Sequence, residues 1–339
     1  MDFSSDTSAP AHPRMIEALA AANRGMAGSY GADNLTGKLA EVISQVFGIE
    51  TAILPVISGT AANALSLSVL CPADGAVACH EEAHIERDER GAPEFYTGGG
   101  KLRLLGGADG KIDLAAFRMQ CDGIDRSFVH ETPLHAISMT NLTECGTAYT
   151  PDEIAERAAV AKSAGLAVHL DGARLGNALV STGTQPADMT WRAGVDVLSL
   201  GFTKAGALGC EVICLFGEAR QHYEKLRARA KRGGHLPPKM RFLSAQALAM
   251  LEDGLWLDLA RHGNTMATRL ADACVAGGGK LAYPVDGNEV FVHLPENIQA
   301  AAFEAGLKAY PWPGGSVRFV CHWNTSEADI EAFAKFCQG

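Results

Sequence analysis

The stretch Leu166-Ala167-Val168-His169-Leu170-Asp171-Gly172-Ala173-Arg174, followed by Val195-Asp196-Val197-Leu198-Ser199-Leu200-Gly201-Phe202-Thr203-Lys204, decides the fold. Each part is a short apolar run ending in polar residues, the first closed by an aspartate and the second by a lysine. Buried parallel strands of an α/β sheet read this way, because both faces are covered and the carboxyl ends open into a crevice. An aspartate and a lysine delivered to one crevice suit pyridoxal 5'-phosphate (PLP). The acid keeps a pyridine nitrogen protonated, and the amine condenses with an aldehyde as a Schiff base. An ordinary α/β core with one surface lysine gives the same two runs, so the remaining motifs carry the decision.

Working outward, strand-like and helix-like runs alternate from residue 35 to about 235, as in a doubly wound α/β domain. Candidate strands are 51–57, 75–79, 127–130, 166–170, 195–200 and 211–216. The clearest helix covers 151–164: Thr150 can cap it, Pro151 takes its first position, Glu153 completes a capping box and Gly165 ends it. Beyond 238 the pattern changes to one long helix over 242–276, a strand at 289–294, a helix at 296–308, a strand at 317–321 and a closing helix from Glu327. This predicts an N-terminal segment 1–34, a large α/β domain 35–237 and a small C-terminal α+β domain 238–339, the segment joining the small domain.

Composition agrees with a compact chain. Of 339 residues, 47% are hydrophobic and 20% charged, which leaves little room for disordered tails. The formal net charge of −10 offers no basic face, and the one basic cluster, Arg227 to Arg232, lies within a helical pattern, so nucleic acid is not expected as a partner. Nine cysteines are scattered without a CxxC or paired-histidine spacing, so no metal site is expected and the thiols are read as buried and free. No apolar stretch is long enough to cross a membrane and Met1 to Asp6 lacks a basic or apolar leader, which predicts a cytoplasmic protein.

Gly59 and Thr60 follow a strand and open a helix-like run over 61–70, where backbone N–H groups and a hydroxyl suit a dianionic phosphate. His84 follows the next strand, with Glu89 five residues on, positioned either to orient the imidazole or to lie solvated on a helix. No GxGxxG or GxxxxGK[ST] follows a strand, which removes the common nucleotide-binding readings.

In order, the motifs are Ser5-Asp6-Thr7, Tyr30-Gly31-Ala32-Asp33, Ser58-Gly59-Thr60-Ala61-Ala62-Asn63, Ala83-His84-Ile85, Asp171-Gly172-Ala173-Arg174, Thr203-Lys204 and Arg318. Over nearly the whole length they resemble the threonine aldolases, within the β-eliminating lyase group of PLP fold type I. Phe202-Thr203-Lys204-Ala205-Gly206 and Lys231 to Leu236 resemble the low-specificity L-threonine and phenylserine aldolase branch. The resemblance implies a large domain with a mostly parallel seven-stranded sheet and a smaller α+β domain.

It further implies that Gly59 and Thr60 hold the PLP phosphate, His84 stacks on the ring, Asp171 pairs with the pyridine nitrogen, Arg174 lies near the phenolic oxygen and Lys204 carries the cofactor. Lys204, His84 and Asp171 are the implied catalytic residues. Arg318, assisted by Ser5, is implied to bind the substrate carboxylate, and Tyr30 to reach a neighbouring subunit's site. A homodimer or homotetramer with shared active sites follows, with a basic pair from 231–241 closing the phosphate site. One departure concerns the base for the substrate hydroxyl. Many threonine aldolases carry a histidine after Asn-Thr in the segment matching 140–146, whereas this chain reads Asn141-Leu142-Thr143-Glu144; His130 and His135 are the histidines nearby in sequence.

The activity expected is retro-aldol cleavage of an L-β-hydroxy-α-amino acid, of the threonine, allo-threonine or phenylserine type, to glycine and an aldehyde. The alternative on the same cofactor is β-elimination of a β-substituted amino acid. A fold member that binds PLP or a partner without catalysis is disfavoured, because every named position holds a chemically competent residue.

Overall fold

A computed structural model describes residues 1–338. Seven strands form the main sheet: β1 (Ala52–Val56), β2 (Ala76–His80), β3 (Lys101–Leu105), β4 (Leu134–Thr140), β5 (Ala167–Gly172), β6 (Val197–Gly201) and β7 (Glu211–Leu215). Their order is β1-β7-β6-β5-β4-β2-β3, and β7 alone runs against its neighbours. The sheet is therefore mostly parallel, and the carboxyl ends of β1, β4, β5 and β6 share one edge. Glu211 opens the reversed β7, so it lies on that same edge. A second, antiparallel sheet has the order β10-β11-β9-β8, with β8 (Lys280–Leu281), β9 (Glu289–His293), β10 (Tyr310–Pro311) and β11 (Val317–Val320).

The strands at 51–57, 75–79, 166–170, 195–200 and 211–216 form within a residue or two of their expected bounds. Residues 127–130 do not form a strand. Phe128 and Val129 are 49% and 86% exposed, and Asp125 Oδ1 accepts from the Ser127 N–H and hydroxyl, which closes a turn instead. The strand in that part of the chain is β4, and the edge strand β3 was not expected because Lys101 and Arg103 interrupt its apolar character. The long helix over 242–276 is two helices, Arg241–Leu251 and Leu255–Ala276, parted at Asp253 and Gly254, whose φ values of 53° and 72° leave the helical region. The helix from 296 ends at Glu304, ahead of Gly306 with φ 87°. At Thr150 the capping box forms in full, with Oγ1 accepting from the Glu153 N–H and Glu153 Oε2 from the Thr150 N–H.

The helix Gly59–Leu70 is buried on every side from Ala61 to Val69, which its small residues permit. It packs beneath the sheet and fixes the position of its own N-terminus at the strand ends. Around the main sheet the core gathers Met15, Leu39, Phe47, Leu170, Leu198, Phe202, Met250 and Trp256. A separate core unites Phe3, Met266, Leu270, Val290, Phe319 and Phe333. Phe3 packs edge-on against Phe319 and Phe333 at 6.0 and 6.4 Å, which pins the chain's first residues to the second sheet. All nine cysteines are buried and free, and no helix among the described residues is long and apolar enough to cross a membrane.

Candidate active site

The shared strand edge opens into a cleft lined by Thr7, Ser58, Gly59, Thr60, Asn63, His84, Thr140, Glu144, Asp171, Arg174, Thr203, Lys204 and Glu211, among others. Close backbone approach makes this convergence possible. A Cβ on Gly201 would meet the Ala173 backbone at 2.7 Å, so only glycine lets the end of β6 pass the turn after β5. Asp171 and Lys204 thereby face one cavity from adjacent strands.

Asp171 is 4% exposed, and both its oxygens accept: Oδ2 from Asn63 Nδ2 at 2.7 Å and Oδ1 from the Ala173 N–H at 2.9 Å. Asn63 also donates to Glu89 Oε1 at 2.8 Å, and Glu89 Oε1 in turn lies 2.8 Å from His84 Nδ1. Glu89 is thus buried and aimed at His84, which decides between its two readings in favour of orienting the imidazole. Burial would lower the His84 basicity, but the Glu89 hydrogen bond and the Asp171 charge reverse this and raise it. Beneath them His169, wholly buried between Ser138 and Ser199 hydroxyls, is pushed down to about 4 by burial and stays neutral.

Ser58 caps the helix Gly59–Leu70, its hydroxyl accepting from the Ala61 N–H. The Gly59 and Thr60 amides are left without a partner among the described residues, and a Cβ on Gly59 would meet open space. Glu211 holds the lysine turn: its Oε2 accepts from the Phe202 N–H at 2.9 Å and its carboxyl also bonds Thr203. Burial pushes that carboxyl up to about 7. Lys204 Nζ itself has neither hydrogen bond nor ion pair among the described residues.

Opposite the sheet lies a chain of charges. Arg174 Nε and Nη2 donate to Asp6 at 2.7 and 3.2 Å, and its Nη1 lies 3.0 Å from Glu289 Oε2. Arg318 donates from Nε and Nη2 to Glu289 Oε1 at 3.0 and 2.7 Å, with the Trp312 ring 5.5 Å from its guanidinium. Burial would raise the Asp6 carboxyl, but the charges of Arg174, Lys204 and Arg318 hold it at about 2.

Gly59, Thr60, His84, Asp171, Arg174 and Lys204 therefore meet in the cleft, while Ser5, Tyr30 and Arg318 do not line it. Ser5 Oγ lies 2.8 Å from Thr7 Oγ1, and Thr7 is the residue of that segment facing the cavity. Tyr30 is 38% exposed, with φ 56° and Lys231 Nζ 4.1 Å from its ring centroid. His130 stands on the exposed loop before β4 and His135 at its amino end beside Arg126, away from the cleft, so neither serves it. Asn63, Glu144, Glu211 and Glu289 escaped the sequence reading. Asn63 alone gave a signal, as a polar residue in an otherwise small and apolar helix.

The donor set fits a phosphorylated pyridine aldehyde. It offers unpartnered amides at a helix start, an uncommitted lysine amine, and a buried carboxylate at the depth that a ring nitrogen would reach. The profile of the family described as "Beta-eliminating lyase" matches residues 2–297. The chain belongs to the β-eliminating lyase family. This lyase is 38% identical over 335 residues to the low specificity L-threonine aldolase of a Pseudomonas species, spanning 98% of this chain and 95% of that one. Identity is also 38% to the enzyme of the same name from Pseudomonas aeruginosa, over 98% and 96% of the two chains. Among solved structures, the threonine aldolase of Leishmania major superposes with a TM-score of 0.92 at 28% identity, over 99% and 98% of the chains. The fold is that of PLP fold type I.

Proposed function

We propose that this lyase cleaves the Cα–Cβ bond of L-β-hydroxy-α-amino acids, of the threonine, allo-threonine or phenylserine kind, to glycine and an aldehyde. The observation that carries the reading is the pairing across one cleft of Lys204 with Asp171, beside the open amides of Gly59 and Thr60 and facing Arg174, which Glu289 links to Arg318 behind it. The names of the Pseudomonas relatives support the same reaction. PLP, when bound, supplies the electron sink for the cleavage.

Lys204, with its free amine, would hold the cofactor aldehyde. Asp171, locked by Asn63 and the Ala173 amide, would face the ring nitrogen as its counter-ion. The Gly59 and Thr60 amides would bind the phosphate, and His84, held by Glu89, would pack against the ring. Arg174 keeps an N–H on each terminal nitrogen for the phenolic oxygen, its other donors being committed to Asp6 and Glu289. Arg318 retains Nη1 for the substrate carboxylate, with Glu289 fixing its plane. Thr7, where Ser5 was expected, is the hydroxyl that the N-terminal segment brings to the cleft.

The working form is a homodimer or homotetramer. Arg174 and Lys204 are the only lysine or arginine side chains lining the cleft among the described residues, so in this reading the 231–241 stretch of a neighbouring copy adds the phosphate's counter-charges and Tyr30 of that copy reaches the substrate. Incubating the PLP-loaded protein with L-threonine or L-phenylserine tests the reading. Aldehyde and glycine in equal amounts support it, whereas a keto acid and ammonia would move the assignment to β-elimination. Full turnover by a monomer, seen by light scattering at assay concentration, would overturn the shared site.

A further inference from the structure

Three carboxylates line the cleft beside Lys204, and they differ in how their oxygens are engaged. Asp171 spends both on N–H donors. Glu211 is bound to the Phe202 amide and to Thr203. Glu144 accepts from the His84 N–H through Oε1 at 2.6 Å, while Oε2 is shielded from solvent and has no partner. An unpartnered buried carboxylate oxygen is costly, so a native fold that keeps one in a ligand cleft points to a group that meets it there.

We propose that Glu144 Oε2 is the acceptor of the substrate's β-hydroxyl proton, a catalytic role that rests on the aldol-cleavage reading above. The hydroxyl O–H bond breaks and its proton passes to Glu144, while that electron pair forms the aldehyde C=O. The Cα–Cβ bond breaks and leaves its pair on the glycine carbon, which takes up one proton, so no net proton is consumed. Glu144 is positioned for this by its own turn: Thr143 and Thr147 lock the segment through hydroxyl bonds to the Asp109 carbonyl, at 3.0 and 2.6 Å. The competing base, His84, commits Nδ1 to Glu89 and is raised in basicity, which disfavours the neutral form that a base requires.

His84, Asp171 and Arg174 are the charged groups around Glu144, with Cys79, Cys145 and Tyr149 the other titratable ones. Burial pushes the Glu144 carboxyl up to about 7, against the pull of the His84 amide. Cleavage should therefore fail on the acid side of neutrality as the carboxylate takes a proton.

The test compares wild type, Glu144→Gln and Glu144→Asp in three readouts. Glu144→Gln should slow aldehyde release from L-phenylserine by about 10²- to 10⁴-fold and lose the acidic limb of the pH profile, with Glu144→Asp recovering part of the rate. Exchange of the glycine α-hydrogen with deuterated water, which needs no hydroxyl base, should stay within about threefold. In the cofactor-free protein, one of the two ¹³C-labelled carboxyl signals expected to titrate near 7, from Glu144 and Glu211, should vanish in Glu144→Gln while the other persists. Cleavage by Glu144→Gln within threefold of wild type overturns the proposal, as does an equal loss of glycine exchange, which would make Glu144 structural. No aldehyde from the wild type would overturn the aldol reading itself, and the Glu144 role with it.

Discussion

On the sheet side of the cleft, Lys204, Asp171 and Glu144 stand singly, held by neutral N–H donors or by no partner. On the side facing the second core, Asp6, Arg174, Glu289 and Arg318 neutralise one another in an unbroken buried chain. Single groups keep their hydrogen-bonding capacity for a ligand, at a cost in folding free energy that the rest of the fold must offset. Paired groups give up part of that capacity and gain a fixed geometry, which suits recognition of a carboxylate by a guanidinium plane. One wall is built for bond-making, the other for placement.

The contrast is broken most directly at Lys204. Lys204→Ala should lower turnover by at least about 10⁴-fold, roughly 5 kcal/mol of transition-state stabilisation, while its urea midpoint falls by less than that of a variant in the paired wall, because Lys204 makes no hydrogen bond or ion pair. Retained cleavage would refute the lysine assignment. At Glu289 the order reverses. Glu289→Gln leaves two arginines under-compensated, so chemical denaturation should show a loss of about 3 kcal/mol, with KM rising more than kcat falls. An unchanged unfolding curve would mean that the second wall is not held by its charges.

Asp6 sharpens the comparison through pH. Its folded carboxyl is held at about 2, below the ordinary carboxylate range, by the charges of Arg174, Lys204 and Arg318. A depressed acid stabilises fully above its unfolded pKa, so this contribution is present above about pH 4 and disappears as pH falls through 2. The stability gap between wild type and Asp6→Asn should close over that window, and a constant gap would detach Asp6 from Arg174. The smallest effect lies far from both walls. Thr150→Ala removes a cap for about 1 kcal/mol of stability and should leave kcat and KM unchanged, which sets the scale for losses that are purely structural.

Much of the sheet-side wall was legible, though not Glu144, because its other key residues stand at the ends of apolar runs. Asp171 and Lys204 stand where buried strands end, and Gly59 and Thr60 stand where a strand turns into a helix, so local patterning located them. Two expectations failed where local patterning competes with exposure. Phe128 and Val129 read as strand residues but lie in a solvent-exposed turn, and the run from Phe242 carries helical periodicity straight through a break at Asp253.

By itself the sequence determined the α/β class, the crevice at the strand ends and the delivery of Asp171 and Lys204 to it, because strand periodicity and helix capping are set by near neighbours. Only the tertiary structure decided that Asp6 meets Arg174, that Glu289 bridges Arg174 to Arg318, that Glu89 turns inward on His84 and that Glu144 is left with a free oxygen. Most of those contacts join residues far apart in the chain, and even the short-range Glu89–His84 pair depends on burial against Asn63. Which carboxylate is paired and which is left single depends on where separately folded elements come to rest, and no local pattern records that.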